Sequence, residues 1–373
     1  MSSMKKPIWF WQLTCSPHMT ALAEALAERG FHVTFVANKL LSTNRAEQGW
    51  ENPDFNKVRL KLAVNKNTVT RLASEAPRDA IHLCQGLRGN GLIGNAQSII
   101  RKKGLNHWVF MEIVDDAGWL GLIKRVVYRI LFLHWRNHLS GVLAIGHNAP
   151  DWFVARGMKK NRIFNFAYFL KNPQVDELFR SLKEDNESRP FRFVFVGRLI
   201  KLKKVDYLLK ALANLKLKNV ELWVVGDGPE KNKLCLLADS LLSSQVRWFG
   251  TQPISKVPKI ISQTDCLVLP SRYDGWGAVI SESLMVGTPV ICSNLCGAAS
   301  VVAASREGSI FKVNEPKSLE YFLMKQINKG VVDIEQRQML AKWSKCLDAD
   351  SGAEYLEKIL FDKSQIKIDE PWA

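Results

Sequence analysis

No stretch of this chain reaches about 18 apolar residues without a charge, which excludes a comfortable transmembrane helix. Cysteine is sparse and unpatterned: seven residues, at 15, 84, 235, 266, 292, 296 and 346, scattered through predicted strands and helices. An odd, dispersed set excludes a disulfide framework and favours a reducing compartment. Cys292 and Cys296 lack a second ligand pair, and His134 and His138 lack a third ligand, so no metal site is expected. Internal repeats, low-complexity segments and recognised nucleic-acid modules are all missing. A net charge of +16 therefore does not imply a nucleic-acid partner.

What is present is ordinary globular material. At 373 residues, 47% hydrophobic and 24% charged, the chain exceeds what one core usually supports. Strand patterns alternate with helix patterns, which predicts an α/β fold. Lys5-Lys6 and the apolar residues Ile8 to Trp11 look like the start of a secretory signal. The run stops at Gln12, has no small-residue cleavage site, and passes through Ser16-Pro17-His18 into an amphipathic helix at 20–29 capped by Gly30. With the strand at 31–38 this is a βαβ opening rather than a leader.

The richest stretch is 271–290, SRYDGWGAVISESLMVGTPV. It follows a buried-strand pattern at 265–269. It continues as a glycine loop and a helix over 278–286 that Gly287 can cap, and ends in a second strand at 289–293. A strand, a glycine turn and a helix start aim unpaired N–H groups and a positive dipole end at one spot, suited to a phosphate or a sugar hydroxyl. Asp274 and Glu282 bracket the helix start with seven residues between them. In a continuous helix they would lie about 12 Å apart, too far for the about 5–5.5 Å acid and nucleophile pair of a retaining hydrolase. Two carboxylates gripping two ends of one ligand fit that spacing; a turn aspartate and a helix-face glutamate with no shared role are the plain alternative.

A second constellation lies upstream, where the strand 193–196 ends in Gly197-Arg198 and a basic loop runs to Lys203 before a helix from about Asp206. Arginine offers a planar donor fork and lysine a mobile point charge, and together they could neutralise a diphosphate. Lys201 and Lys204 leave a solvated lysine loop as the alternative. A third loop, Gly226-Asp227-Gly228-Pro229, follows the strand 221–225 and reads equally as a turn.

Taken in order, GRLIKLKKVDYLLKAL, WVVGDGP, VRWFG, DCLVLPSRYDGWGAVISESLMVGTPVI and SNLCGAASVV cover about a hundred residues. They resemble the retaining glycosyltransferases of the GT-B fold, family 4 group. The resemblance implies two Rossmann-like parallel-sheet domains facing a cleft. It implies that Arg198 and Lys203 bind the nucleotide diphosphate, that Asp274 meets the donor sugar and Glu282 the ribose hydroxyls. The backbone of Gly275, Trp276, Gly277 and Ala278 would lie between them, with Gly197, Gly226 and Asp227 in the neighbouring loops. The commonest pattern has Glu where this chain has Asp274, one methylene shorter. The first turn, CSPHM, is not glycine-rich and is nearer to a subgroup of surface-polysaccharide transferases.

The acceptor side is expected in the N-terminal half. Ligands of open α/β sheets bind beyond the carboxyl ends of strands, which nominates His18, His82, Arg88, Glu112 and Asp115; structural histidines and a solvated acidic turn are the alternatives. Residues 1–172 carry 24 Lys+Arg against 11 Asp+Glu, and residues 173–373 carry 28 against 25, so the basic excess belongs to the first half. Much of it flanks a helical pattern at 119–139, read either as a basic amphipathic helix for an anionic membrane surface or as a core helix with basic edges.

The expected division is 1–172 and 173–349, with a polar linker at 182–190 and a terminal helix in 350–373 returning to the first domain. The implied activity is transfer of a sugar, with retention, from a nucleoside-diphosphate sugar, UDP or GDP, to a glycan or polyprenyl-linked acceptor. The place is the cytoplasm or the inner face of the cell membrane. No metal is expected, since cationic side chains can do a divalent ion's work and no Asp-x-Asp triad sits where the donor phosphates would be. An epimerase-like enzyme of the same fold and a non-catalytic nucleotide-sugar binder are the alternatives.

Overall fold

The computed structural model describes residues 5–182, 189–313, 315, 317–362 and 368–373. Most of the linker expected at 182–190 lies outside them. Contacts divide the chain into two units, one of Met1–Ser42, Asn52–Lys171 and Asp348–Pro371, the other of Thr43–Glu51, Asn172–Leu347 and Trp372–Ala373.

The first unit holds seven parallel strands: β1 (Ile8–Thr14), β2 (Val33–Lys39), β3 (Arg59–Leu62), β4 (Ile81–Gln85), β5 (Asn106–Glu112), β6 (Gly141–Ile145) and β7 (Ile163–Phe166). Their order is β3-β2-β1-β4-β5-β6-β7. All five residues of β6 are buried, the continuous apolar run of a strand covered on both faces. One face packs Trp9, Trp11, Val36 and Leu72 together; the other packs Val109, Phe132, Trp152 and Phe153. Each such side chain contributes about 1.5–3 kcal/mol of burial.

The second unit holds six parallel strands: β8 (Phe191–Val196), β9 (Val220–Val225), β10 (Val246–Gly250), β11 (Cys266–Leu269), β12 (Val290–Ser293) and β13 (Gly308–Phe311). The order β10-β9-β8-β11-β12-β13 reverses direction beside β8. The carboxyl ends of β8 and β11 therefore flank the switch point where such sheets take their ligands. At the opposite end of β11, buried Asp265 accepts two bonds from the Arg189 guanidinium, at 2.7 and 2.8 Å, and one from the Arg192 N–H at 2.9 Å. Part of the basic charge is thus spent inside the fold.

One boundary differs from expectation. Thr43–Glu51, placed in the first domain by position, belongs to the second unit: the Ile254 N–H donates to the Gly49 carbonyl at 2.8 Å and Ser255 meets Glu51 at 3.3 Å. The terminal helix expected within 350–373 is Ala349–Phe361, and residues 363–367 lie outside the described set. It packs on the first unit: Glu357 pairs with Lys5 at 2.7 Å and Arg29 at 2.9 Å, and the Tyr355 hydroxyl donates to the Asn165 carbonyl at 2.9 Å.

Candidate functional site

Three loops converge beyond the carboxyl ends of β8, β9 and β11. The loop after β8 is bound to the loop after β9 backbone to backbone: Gly197 N–H to Val225 O, Leu199 N–H to Asp227 O and Glu230 N–H to Leu199 O, at 2.9 to 3.0 Å. Gly226 makes this approach possible. Its φ is +128° and a Cβ there would lie 2.1 Å from the Gly197 carbonyl oxygen. The Arg272 N–H donates to the Leu202 carbonyl at 2.9 Å, which ties the first loop to the loop after β11. That loop is in turn fixed to 294–298, since Gly297 N–H donates to Asp274 O at 2.9 Å and Ala298 N–H to Trp276 O at 2.8 Å.

This lacing brings Lys203 and Asp274 together. The Lys203 ammonium donates to Asp274 Oδ2, with both side chains more than four-fifths shielded from solvent. Gly277 caps the following helix, Ala278–Met285, in the left-handed region at φ +85°. The Asp274 carboxyl carbon lies 3.7 Å from where a Gly277 Cβ would stand, so the carboxylate sits at the helix start, where N–H groups lack intrahelical partners. Asp274 precedes the helix, so the continuous-helix spacing to Glu282 does not apply.

Glu282 lies on the second turn of that helix, partly buried, and its carboxylate has no side-chain hydrogen bond among the described residues. Desolvation pushes its pKa from 4.5 up to about 7. Arg198 is exposed, and no described residue pairs with its guanidinium. Asp227 is held by the Gly228 N–H and the Lys231 ammonium, both at 2.7 Å, which keep its carboxyl below the usual range. The Trp276 indole is 2% exposed and its Nε1–H donates to Ser281 Oγ at 3.2 Å, which leaves the backbone, the part named from the sequence, as what this residue can offer a ligand.

In the first unit, His18, Tyr168 and Glu112 form a chain. The His18 ring lies 3.9 Å from the Tyr168 ring, and the Tyr168 hydroxyl donates to Glu112 Oε1 at 2.6 Å. Sequence reasoning named His18 and Glu112 and missed Tyr168, which stands two residues beyond β7 and carries no motif. The Asp115 side chain accepts from the Ala117 N–H at 3.2 Å, while Arg88 is exposed with its guanidinium 6.0 Å from the Tyr128 ring. His82 is removed from the acceptor side. It is fully buried in β4, its Nδ1 accepts from the Trp11 Nε1–H at 3.1 Å, and burial lowers its pKa to about 4. Among the described residues no cluster of three or more His, Cys, Asp or Glu could hold a metal.

Comparison with known proteins agrees with this architecture. Residues 176–345 match the model of the family described as glycosyl transferases group 1. An uncharacterised 41.2 kDa protein of the cps region of Klebsiella pneumoniae is 23% identical over 54% of this chain and 54% of its own length. The O-antigen biosynthesis glycosyltransferase WclY of Escherichia coli is 26% identical over 58% of this chain and 61% of its own, so the chain spans little more than half of either relative. Among solved structures, HepE of Anabaena in complex with UDP superposes with a TM-score of 0.72 at 14% identity, covering 95% of this chain and 99% of that one. The lipopolysaccharide glycosyltransferase WaaG superposes at 0.62 and 18% identity, over 95% and 100%. The chain therefore has the GT-B fold, and its residues 176–345 are similar to the glycosyl transferases group 1 family.

Proposed function

We propose that the chain transfers a sugar, with retention, from a nucleoside-diphosphate sugar to a glycan or polyprenyl-linked acceptor in the building of a cell-surface polysaccharide. The observation that carries the reading is the meeting of Lys203, Asp274 and an open helix start at the switch point of the second sheet. A departing diphosphate gathers two negative charges, and preorganised cations and N–H groups placed where that charge develops lower the barrier. Lys203 and the exposed Arg198 supply the cations and the Gly277–Ala278 backbone supplies the dipole. Glu282, with no donor of its own, receives the ribose hydroxyls. Asp274 holds Lys203 until the donor arrives and then accepts from a sugar hydroxyl. The leaving phosphate can take the acceptor's proton on the same face, so the chain needs no separate base. The solved complexes of HepE with UDP and with UDP-glucose make UDP the first nucleotide to test. The similarity to the O-antigen biosynthesis glycosyltransferase WclY supports a surface-glycan acceptor.

The test is a thermal-shift screen of UDP, GDP, ADP and CDP and their sugars, repeated on Arg198→Ala and Glu282→Ala. A ligand at 100 times its Kd stabilises the native state by about 2.7 kcal/mol. A shift with one nucleotide that both variants lose supports the site; an equal shift in all three proteins removes it. Radiolabel transfer from the sugar of that nucleotide to a polyprenyl-linked glycan then separates a transferase from a silent binder.

A further inference from the structure

The helix Trp119–Trp135 has two apolar faces, and the fold covers one of them. Gly121, Tyr128 and Phe132 are buried against the first sheet. At 100° per residue, Trp119, Leu122, Ile123, Val126, Ile130 and Leu133 fall on the opposite side, in a stripe about 100° wide and about 21 Å long. All six are exposed, Trp119 by 74% and Ile130 by 64%. Scattered exposed leucines are normal on a protein surface, but an aligned stripe of this size marks a contact.

We infer that this stripe lies in the interface of an anionic lipid leaflet, with the helix axis in the membrane plane. The helix carries no Asp or Glu among its 17 residues. Exposed Arg129 lies on one flank of the stripe, within about 40° of Arg125, whose guanidinium also meets Asp116 at 3.5 Å, and of the half-buried Arg136. At the far end Arg101, from the basic last turn of the helix Ile93–Lys102, meets His134. An apolar stripe edged by arginines is what headgroup phosphates and the first acyl carbons accept together. A second copy of the chain fits less well, because two helices without a carboxylate would press their arginines together. The stripe also decides between the two readings of 119–139: the core contact is the narrow face, and the wide apolar face is outside. Among the described residues no helix is long and apolar enough to cross a membrane, so the contact is one of surface docking. The inference stands apart from the donor site and would hold for a protein that transfers nothing.

The experiment is flotation of the full chain with vesicles of phosphatidylcholine alone and of phosphatidylcholine with 30% phosphatidylglycerol, at low and at 0.5 M salt. The expected result is partition onto the anionic vesicles, weakened by salt. Ile123→Ser/Val126→Ser/Ile130→Ser should lower it by about 30-fold or more with an unchanged melting temperature, and Arg129→Ala by about fivefold. Equal flotation of the parent and the folded triple variant overturns the inference. So does failure of the parent to float with anionic vesicles at low salt, or a parent dimer in light scattering that the triple variant loses. Should the triple variant not fold, Arg125→Ala/Arg129→Ala decides, and partition unchanged from the parent overturns the inference.

Discussion

Lys203 and Asp274, 71 positions apart in the chain, form an ion pair at the mouth of the helix Ala278–Met285. The two loops that carry them are tied by the Arg272 N–H bond to the Leu202 carbonyl at 2.9 Å, so the pair is set by backbone rather than by chance side-chain reach. In the proposed site the lysine changes partner, from carboxylate to diphosphate, when the donor binds. Opposite effects on binding follow. Lys203→Ala is expected to weaken UDP by about tenfold or more. Asp274→Asn should leave UDP bound as tightly or more so while lowering kcat by about 100-fold. Calorimetry with UDP and a transfer assay read the two; parallel losses of UDP affinity would remove the exchange.

The carboxyl of Glu282, raised to about 7 by burial, gives a pH signature with a definite sign. The unfolded chain ionises it near 4.5, whereas the folded chain keeps the proton until about 7. Stability is therefore lost as pH rises through that window, by about 3 kcal/mol at most. Glu282→Gln should match the parent at pH 4 and exceed it in urea resistance at pH 8. Ribose hydroxyls donate to the ionised form, so UDP affinity should climb by up to tenfold per pH unit below 7 and go flat in the glutamine variant.

Gly226 is a position where a single methyl group should be felt. At φ +128°, with the Gly197 carbonyl 2.1 Å from the place of a Cβ, alanine must push the loops after β8 and β9 apart. Gly226→Ala is expected to cost about 3 kcal/mol or more and to abolish nucleotide binding, as measured by urea unfolding and thermal shift.

Acid should open the first unit. His82 and His107 face each other across β4 and β5, both fully buried, with pKa values lowered by desolvation to about 4 and about 3. Unfolded imidazoles take protons near 6.5, so the unfolded chain binds more protons below that pH. Stability falls from there toward 4 and then 3, by several kcal/mol in all. His82→Asn, which keeps an acceptor near the Trp11 Nε1–H, should flatten the part of that loss between pH 6.5 and 4, followed by tryptophan fluorescence.

Much of this architecture could be read from the chain, because buried parallel strands are short, unbroken apolar runs bounded by turn residues such as glycine, proline, serine and asparagine. β8, β9, β11 and β12 were all visible for that reason. Edge strands were not: β3, RLKL, is half exposed, and its pattern is indistinguishable from a polar loop. Site residues were legible where a loop carries them and lost where the side-chain direction matters. His82 is three residues short of the end of β4, which turns it into the sheet. The pairing of Lys203 with Asp274 depends on which strands are neighbours, and no local pattern contains that.

The helix Ala349–Phe361 completes the first unit although it follows nearly all of the second in the chain. On the ribosome, everything from Asn172 to Leu347 is made before Glu357 can reach Lys5 and Arg29. The unit begun first must therefore wait, with the surface of Pro17–Glu28 uncovered, while the later one closes. A chaperone that binds the nascent chain has its natural target on that waiting helix, and a fragment stopped at Lys171 would expose the same surface for good.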